Sequence, residues 1–308
     1  MAKSSGLNMR RAAARATVAA VTAALVATGT GAAFATDAPT RSAKDVSAAV
    51  KAPAVAQFKA KAKIGDAPLN PLFARDKSGN LWGYIPNGKG GLEARIPAGD
   101  NWQGARFITQ VDNDADGHSD GIWDIWGDEL TYTPWGTSDN RLIGKGWKNY
   151  NLAFAAGNLG GSGPEDLLAR DASGVLWLYL GYGDGRVTSP YKVGRGWNGF
   201  EIAGKGDLTG DGKDDIVAKD STGVLWLYKG TGDAKAPLGA RTRIGSGWNS
   251  FNKLVVVGDV DPDGITDLLA RDKNGALYVY RGTGNASAPL ARGVKIGTSG
   301  WNGYNLLF

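Results

Sequence analysis

A Gly-Trp pair, or a close variant of it, returns five times along this chain, its tryptophans being Trp102 (preceded by Asn101), Trp147, Trp197, Trp248 and Trp301, spaced by 45, 50, 51 and 53 residues. Where best preserved, it sits in a longer pattern, Ile-Gly-x-Gly-Trp-x-x-aromatic. A fixed period of this length marks one supersecondary unit copied in series. Such a unit cannot bury its apolar face alone, so each copy must stack on the next. A serial architecture also argues against a single buried active site.

Two other signals share the period. The first is a strand signature: Leu81-Trp82-Gly83-Tyr84, Leu176-Trp177-Leu178-Tyr179, Leu225-Trp226-Leu227-Tyr228 and Leu277-Tyr278-Val279-Tyr280, eroded to Leu130-Thr131-Tyr132 in the second copy. Before four of these lies a turn such as Ser78-Gly79 or Asn274-Gly275, preceded by an apolar run ending in Arg-Asp or Lys-Asp. Two apolar runs joined by a glycine turn predict a β-hairpin. The runs are nearly continuous rather than alternating, which fits sheets covered on both faces, as propeller blades are. Five copies predict an all-β, five-bladed β-propeller of four-stranded antiparallel blades over residues 63–308. Either the segment Phe58 to Asp66 or the C-terminal strand is expected to close the ring.

The second signal is acidic. Asp112, Asp114, Asp116 and Asp120 stand in a D-x-D-x-D-G-x-x-D loop, and Asp259, Asp261, Asp263 and Asp267 repeat it. Asp207, Thr209, Asp211 and Asp215 form a third copy with threonine at the second ligand position. Alternate side chains supply hard oxygens, and the glycine permits a sharp turn. The next residue, His118, Lys213 or Ile265, then offers its backbone carbonyl, which is calcium-loop chemistry. The glutamate that completes an EF-hand is absent, and no helical pattern flanks the loops. The copy at Asn158 to Asp166 lacks the inner carboxylates, and the first, near Asp66 to Asn70, lacks the motif. An Asp/Gly turn without metal is the plainer alternative. Calcium is expected to be structural, holding loops between blades.

The two ends differ in character. A basic start (Lys3, Arg10, Arg11, Arg15), an Ala/Val-rich run and an Ala33-Phe34-Ala35 site read as a secretory signal over residues 1–35. Its apolar core is too short to span a membrane. Residues 36–62, rich in Ala, Lys, Pro and Ser, read as a flexible leader. The formal charge of +5 is concentrated here: residues 1–63 hold ten Lys/Arg against Asp37 and Asp45, leaving 25 basic and 28 acidic residues beyond. Nucleic-acid binding is therefore a poor reading. There is no cysteine, so a secreted protein of this kind needs its core, ring closure or bound ions in place of disulfides.

The Asp loops followed by Leu-Leu-Ala-Arg-Asp resemble the FG-GAP/VCBS repeats of integrin-like propellers. The stretches Ala240 to Phe251 and Ala291 to Tyr304, and the ending Tyr304-Asn305-Leu306-Leu307-Phe308, resemble the five-bladed tachylectin family. That resemblance implies sites for N-acetylated sugars between blades. The Asp loops depart from the lectin pattern, and copies 1 and 2 depart most.

The candidate sugar contacts are Trp147, Asn149, Trp197, Asn198, Trp248, Asn249, Trp301 and Asn302. Tryptophan faces stack on pyranose rings, and asparagine amides bind hydroxyl or acetamido groups. Packing between blades and turn capping are the structural alternatives. His118 is the sole histidine, and no G-x-S-x-G, H-E-x-x-H or phosphate-loop motif appears, so catalysis is not expected. The sequence reads as a secreted carbohydrate-binding propeller with several weak sites. The alternatives are a protein-interaction scaffold, such as the targeting subunit of a secreted toxin-like assembly, and a hydrolase with an unrecognised site.

Overall fold

The computed structural model describes residues 67–308, which form five four-stranded antiparallel sheets. The segments expected to be a signal and a leader (residues 1–35 and 36–62), and the candidate strand Phe58 to Asp66, lie outside the described residues. The first blade holds β1 (Leu72–Asp76), β2 (Leu81–Tyr84) and β3 (Ile96–Gly99). The second holds β4 (Ala105–Val111), β5 (Gly121–Trp126), β6 (Glu129–Pro134) and β7 (Arg141–Lys145). The third holds β8 (Tyr150–Ala155), β9 (Leu167–Asp171), β10 (Leu176–Tyr179) and β11 (Tyr191–Gly194). The fourth runs β12 (Glu201–Gly204), β13 (Ile216–Lys219), β14 (Leu225–Gly230) and β15 (Leu238–Gly245). The fifth runs β16 (Phe251–Gly258), β17 (Asp267–Asp272), β18 (Leu277–Tyr280) and β19 (Val294–Gly297), and β20 (Tyr304–Leu307) ends the chain.

Within a blade the strands follow chain order from the centre outward. The first blade is the exception, because β20 supplies its inner strand. Leu307 pairs with Ala74, and the Phe73 N–H donates to the Phe308 carbonyl at 2.8 Å. The C-terminal strand therefore closes the ring, pairing the inner edge that β1 would otherwise expose.

The hairpins form for the reason the sequence suggests. β9, β13 and β17 are buried along most of their length because a blade packs on each face. A small residue sits opposite a large one at the same place in four blades: Ala74 faces Trp82, Ala169 faces Trp177, Ala218 faces Trp226 and Ala270 faces Tyr278. In the eroded second blade Asp124 and Thr131 take these places, joined by a 2.8 Å hydrogen bond from the threonine hydroxyl.

One expectation needs correcting. The Asp loops do not join one blade to the next. Loop 112–120 connects β4 to β5, loop 207–215 connects β12 to β13, and loop 259–267 connects β16 to β17, each within its own blade. They are nevertheless pressed against the neighbouring blade. The Glu165 N–H donates to the Asp112 carbonyl at 3.0 Å, and Thr266 N–H to the Asp207 carbonyl at 3.3 Å. The true inter-blade connectors are the Gly-Trp segments. At Trp147, Trp248 and Trp301 these form one-turn 3-10 helices entered through a left-handed glycine, with φ of 99° at Gly146, 87° at Gly247 and 90° at Gly300. Only glycine takes that conformation without strain.

Candidate functional sites: the blade seams and the aspartate loops

Each connector tryptophan is wedged into the seam between two blades. Trp147 lies between Tyr150 and Tyr179, with ring centroids at 5.1 and 4.9 Å. Trp197 lies between Phe200 and Tyr228, Trp248 between Phe251 and Tyr280, and Trp301 between Tyr304 and Tyr84. One aromatic starts the inner strand after the connector, and the other ends the Leu-Trp-Leu-Tyr strand of the same blade. These four rings are 4–8% exposed, so their faces are covered by protein.

Their indole edges are different. A glycine at the end of the outer strand lies over each Nε1. A Cβ at Gly144, Gly194, Gly245 or Gly297 would sit 3.6, 3.4, 3.6 or 2.2 Å from that nitrogen. None of the four Nε1 atoms finds an acceptor among the described residues, and none is sealed from solvent.

The fifth seam is unlike the others. Ala105 stands where the other blades have their inner-strand aromatic, and Thr133 replaces the third-strand tyrosine. Trp102 packs on Trp126 instead, and its Nε1 is sealed without a described partner.

Asn198, Asn249 and Asn302 directly follow their tryptophans and rest on the hairpin turn of the blade just left. Their side chains lie against Gly174, Gly223 and Gly275. Asn249 donates to the Ser221 carbonyl at 3.3 Å, and Asn302 to the Lys273 carbonyl at 2.9 Å. All three remain exposed. Asn149 falls one position later, and the structure puts Lys148 at the equivalent place. The Lys148 N–H donates to Asp128 at 3.1 Å.

Sequence reasoning passed over what anchors the connectors. Arg170 Nη1 donates to the carbonyls of Trp197 and Phe200 at 2.8 and 2.6 Å, while its Nε donates to Asn151 at 2.7 Å. Arg271 repeats this with Trp301, Tyr304 and Asn252, and Arg75 with Trp102, Ala105 and Asn305. In the second blade Arg106 does the same work from the inner strand, binding the carbonyls of Trp147 and Tyr150. The periodic Arg-Asp pair was the available signal. Its aspartate caps the hairpin turn and takes an indole hydrogen bond, Trp177 to Asp171 at 2.9 Å and Trp226 to Asp220 at 2.8 Å.

The Asp loops are tightly folded. Asp112 accepts from Ala115 and Gly117 N–H at 2.7 and 2.8 Å, Asp207 from Gly210 and Gly212 at 2.7 and 2.6 Å, and Asp259 from Gly264 at 2.7 Å. Carboxylate oxygens of Asp112, Asp114 and Asp116 lie within 4.8 Å of one another, as do those of Asp259, Asp261 and Asp267. In the third loop Asp211 is drawn to Lys229 at 2.7 Å. The last carboxylate ties the loop down: Asp215 accepts from Leu208 and Gly230, and Asp267 from Val260 and Gly282.

Burial pushes the Asp267 carboxyl up to about 8 and Asp215 to about 7. Asp112, Asp120 and Asp259 rise to about 6, chiefly by burial. Such carboxylates lack positive charge. One Asp261 oxygen is bound by Arg281 at 2.8 Å, whereas the other, Oδ1, is buried with no described partner. A calcium ion would satisfy both conditions with the hard oxygens present. His118 is turned to the Leu69 carbonyl at 3.4 Å. Thr209, Lys213, Ile265 and Asp263 fall within the same turns.

These features define the class: a five-bladed β-propeller of repeated four-stranded blades. The family model for the FG-GAP-like repeat matches residues 207–270, the fourth-blade loop through β17. No curated protein matches the sequence. Among solved structures, the fold is similar to the BP39L lectin from Burkholderia pseudomallei, at 15% identity and TM-score 0.41, covering 77% of this chain and 72% of that one. It is also similar to regucalcin, a calcium-binding protein from Agrobacterium tumefaciens, at 13% identity and TM-score 0.40, covering 74% of each chain. These likenesses are of fold alone. No helix among the described residues is long and apolar enough to cross a membrane.

Proposed function

We propose that this protein is a secreted, non-enzymatic lectin that binds N-acetylated sugars at four blade seams. The observation that carries the reading is the set of four indole N–H groups at Trp147, Trp197, Trp248 and Trp301. Each is uncovered by a glycine and left without a described acceptor. Each also has an aromatic neighbour and an exposed asparagine, or Lys148 in one seam, within the same turn. The sugar meets the tryptophan at its edge rather than on its face, because the faces are packed. Indole N–H, backbone groups of the connector and the asparagine amide supply the few convergent polar contacts such a site needs. Individually weak sites act together by avidity on a surface carrying many sugars.

Calcium is the structural partner in this reading. Asp112, Asp114 and Asp116 in one loop, and Asp259, Asp261 and Asp267 in another, would hold it. Its role there is to neutralise buried carboxylates. Residues 36–62, read as a leader, are the segment proposed for attachment to a protein partner. A glycan array on the propeller, run in calcium and in EDTA with a melting curve in each, tests the reading. Retention on N-acetylated sugars is expected, with a lower melt in EDTA. A folded protein that retains no sugar in calcium contradicts the lectin and favours the interaction scaffold.

A further inference from the structure

The inner strands β4, β8, β12, β16 and β20 line a central cavity of about 140 Å³. The fifth residue after each connector tryptophan reaches its wall: Phe107, Leu152, Ile202, Lys253 and Leu306. Four are apolar and one is a lysine, so the repeat is broken at a single place. Lys253 is half-buried, and no hydrogen bond or ion pair joins its ammonium group to a described residue.

The surrounding charge is unbalanced. The one carboxylate nearby, Glu201, is already engaged. Its Oε2 meets Lys219 Nζ at 2.6 Å, and its Oε1 accepts the Leu254 N–H at 2.6 Å. Glu201 stands where three other blades carry a neutral asparagine (Asn151, Asn252, Asn305), and Lys219 where the same three carry arginine, so that pair is self-contained. Arg271, the other neighbouring charge, is spent on Asn252 and two carbonyls. Burial pushes the Lys253 ammonium down from its ordinary range; Glu201 acts against this, and Arg271 and Lys219 add to it. An isolated ammonium in an apolar wall is costly unless something pairs with it.

We infer that the central cavity binds a small monocarboxylate with an apolar body, its carboxylate paired with Lys253 and its chain lying against Leu152, Leu306 and Phe308. A charge-assisted N–H···O contact fixes one end, and burial of the methylene groups supplies the rest. Lys205, the other lysine of the wall, is paired with Glu165, so it does not compete. This site is independent of the seams and does not rest on the lectin reading.

Hexanoate is the probe, titrated calorimetrically into the whole propeller, with hexan-1-ol and hexylammonium as controls. Saturable binding of hexanoate alone is expected. Lys253→Met should weaken it at least about tenfold, and Lys253→Arg should retain it. Methionine matches the apolar residues found here in other blades, so the fold is expected to survive, as a melting curve will report. Protection of Lys253 in the unaltered protein from an amine-reactive label by hexanoate gives a second readout that needs no variant. Absence of binding, equal binding by Lys253→Met, or equal binding of hexan-1-ol overturns the inference, as does labelling of Lys253 unaffected by hexanoate.

Discussion

Arg170 holds Trp197 by its backbone rather than by its ring: from β9 of the blade just left, the guanidinium Nη1 donates to the Trp197 carbonyl at 2.8 Å. The same group reaches the Phe200 carbonyl at 2.6 Å, where the next blade begins. One side chain thus ties the end of one blade to the start of the next. Arg75 and Arg271 do so at two further seams.

Removing this clamp leaves connector carbonyls without a partner. Charged hydrogen bonds contribute about 1.5–3 kcal/mol each, reduced here because the group is only half-buried. Arg170→Met is expected to destabilise the propeller by about 2 kcal/mol in urea unfolding. Arg170→Lys should cost less, since Lys219 already serves the fourth blade, reaching the Phe251 carbonyl at 2.8 Å.

Two strand-end glycines separate ligand access from packing. A Cβ at Gly194 would lie 3.4 Å from Trp197 Nε1, an ordinary contact. Gly194→Ala is therefore expected to change stability by under about 1 kcal/mol while blocking one sugar site. At Gly297 the same Cβ would come within 2.2 Å of Trp301 Nε1, so Gly297→Ala should destabilise as well. Melting curves and sugar titrations on both variants check the contrast.

The hairpin aspartates predict an acid limb. Burial is the largest single influence on the Asp171 carboxyl and raises it, but the hydrogen bonds from Ser173, Trp177 and Val175 together outweigh it and hold the group down from 3.8 to about 2. A depressed folded pKa contributes stability that is present above the unfolded value and lost as pH falls through the folded one. The contribution of Asp171 should thus disappear between about pH 4 and pH 2. NMR titration of its carboxyl carbon should give a midpoint near the lower figure, moving upward in Trp177→Phe. An ordinary midpoint in the unaltered protein refutes the cap.

Calcium should bind most clearly at the loop containing Asp261, whose Oδ1 is buried without a described partner. Terbium luminescence sensitised by the aromatic core is expected to titrate in, be displaced by calcium, and fall by about one site's worth in Asp259→Asn. Unchanged luminescence in that variant would place the ion elsewhere.

Much of this architecture is legible in the sequence, because each blade must satisfy the same packing. The tryptophan period gives the blade count, and the Ala–Trp hairpins give the second and third strands. The closure is open in the sequence between Phe58 to Asp66 and Tyr304 to Phe308, and the structure pairs the latter with Leu72–Asp76. The phase of the repeat was not legible. A period fixes spacing but not where one sheet ends, so the Asp loops were placed between blades when they lie inside them. Nor was the inequality of the seams fully visible. Ala105 and Thr133 matter only once the fold shows that they take the places of the two seam aromatics found in the other four blades. Lys253 looks like one polar residue in an apolar strand until five such strands converge.

The most direct test of the seam assignment is native mass spectrometry of the propeller titrated with N-acetylglucosamine in calcium. Up to four bound sugars are expected, with one fewer in Gly194→Ala and the Trp102 seam never filled. A folded protein that binds no sugar, or whose count is the same in that variant, contradicts the assignment.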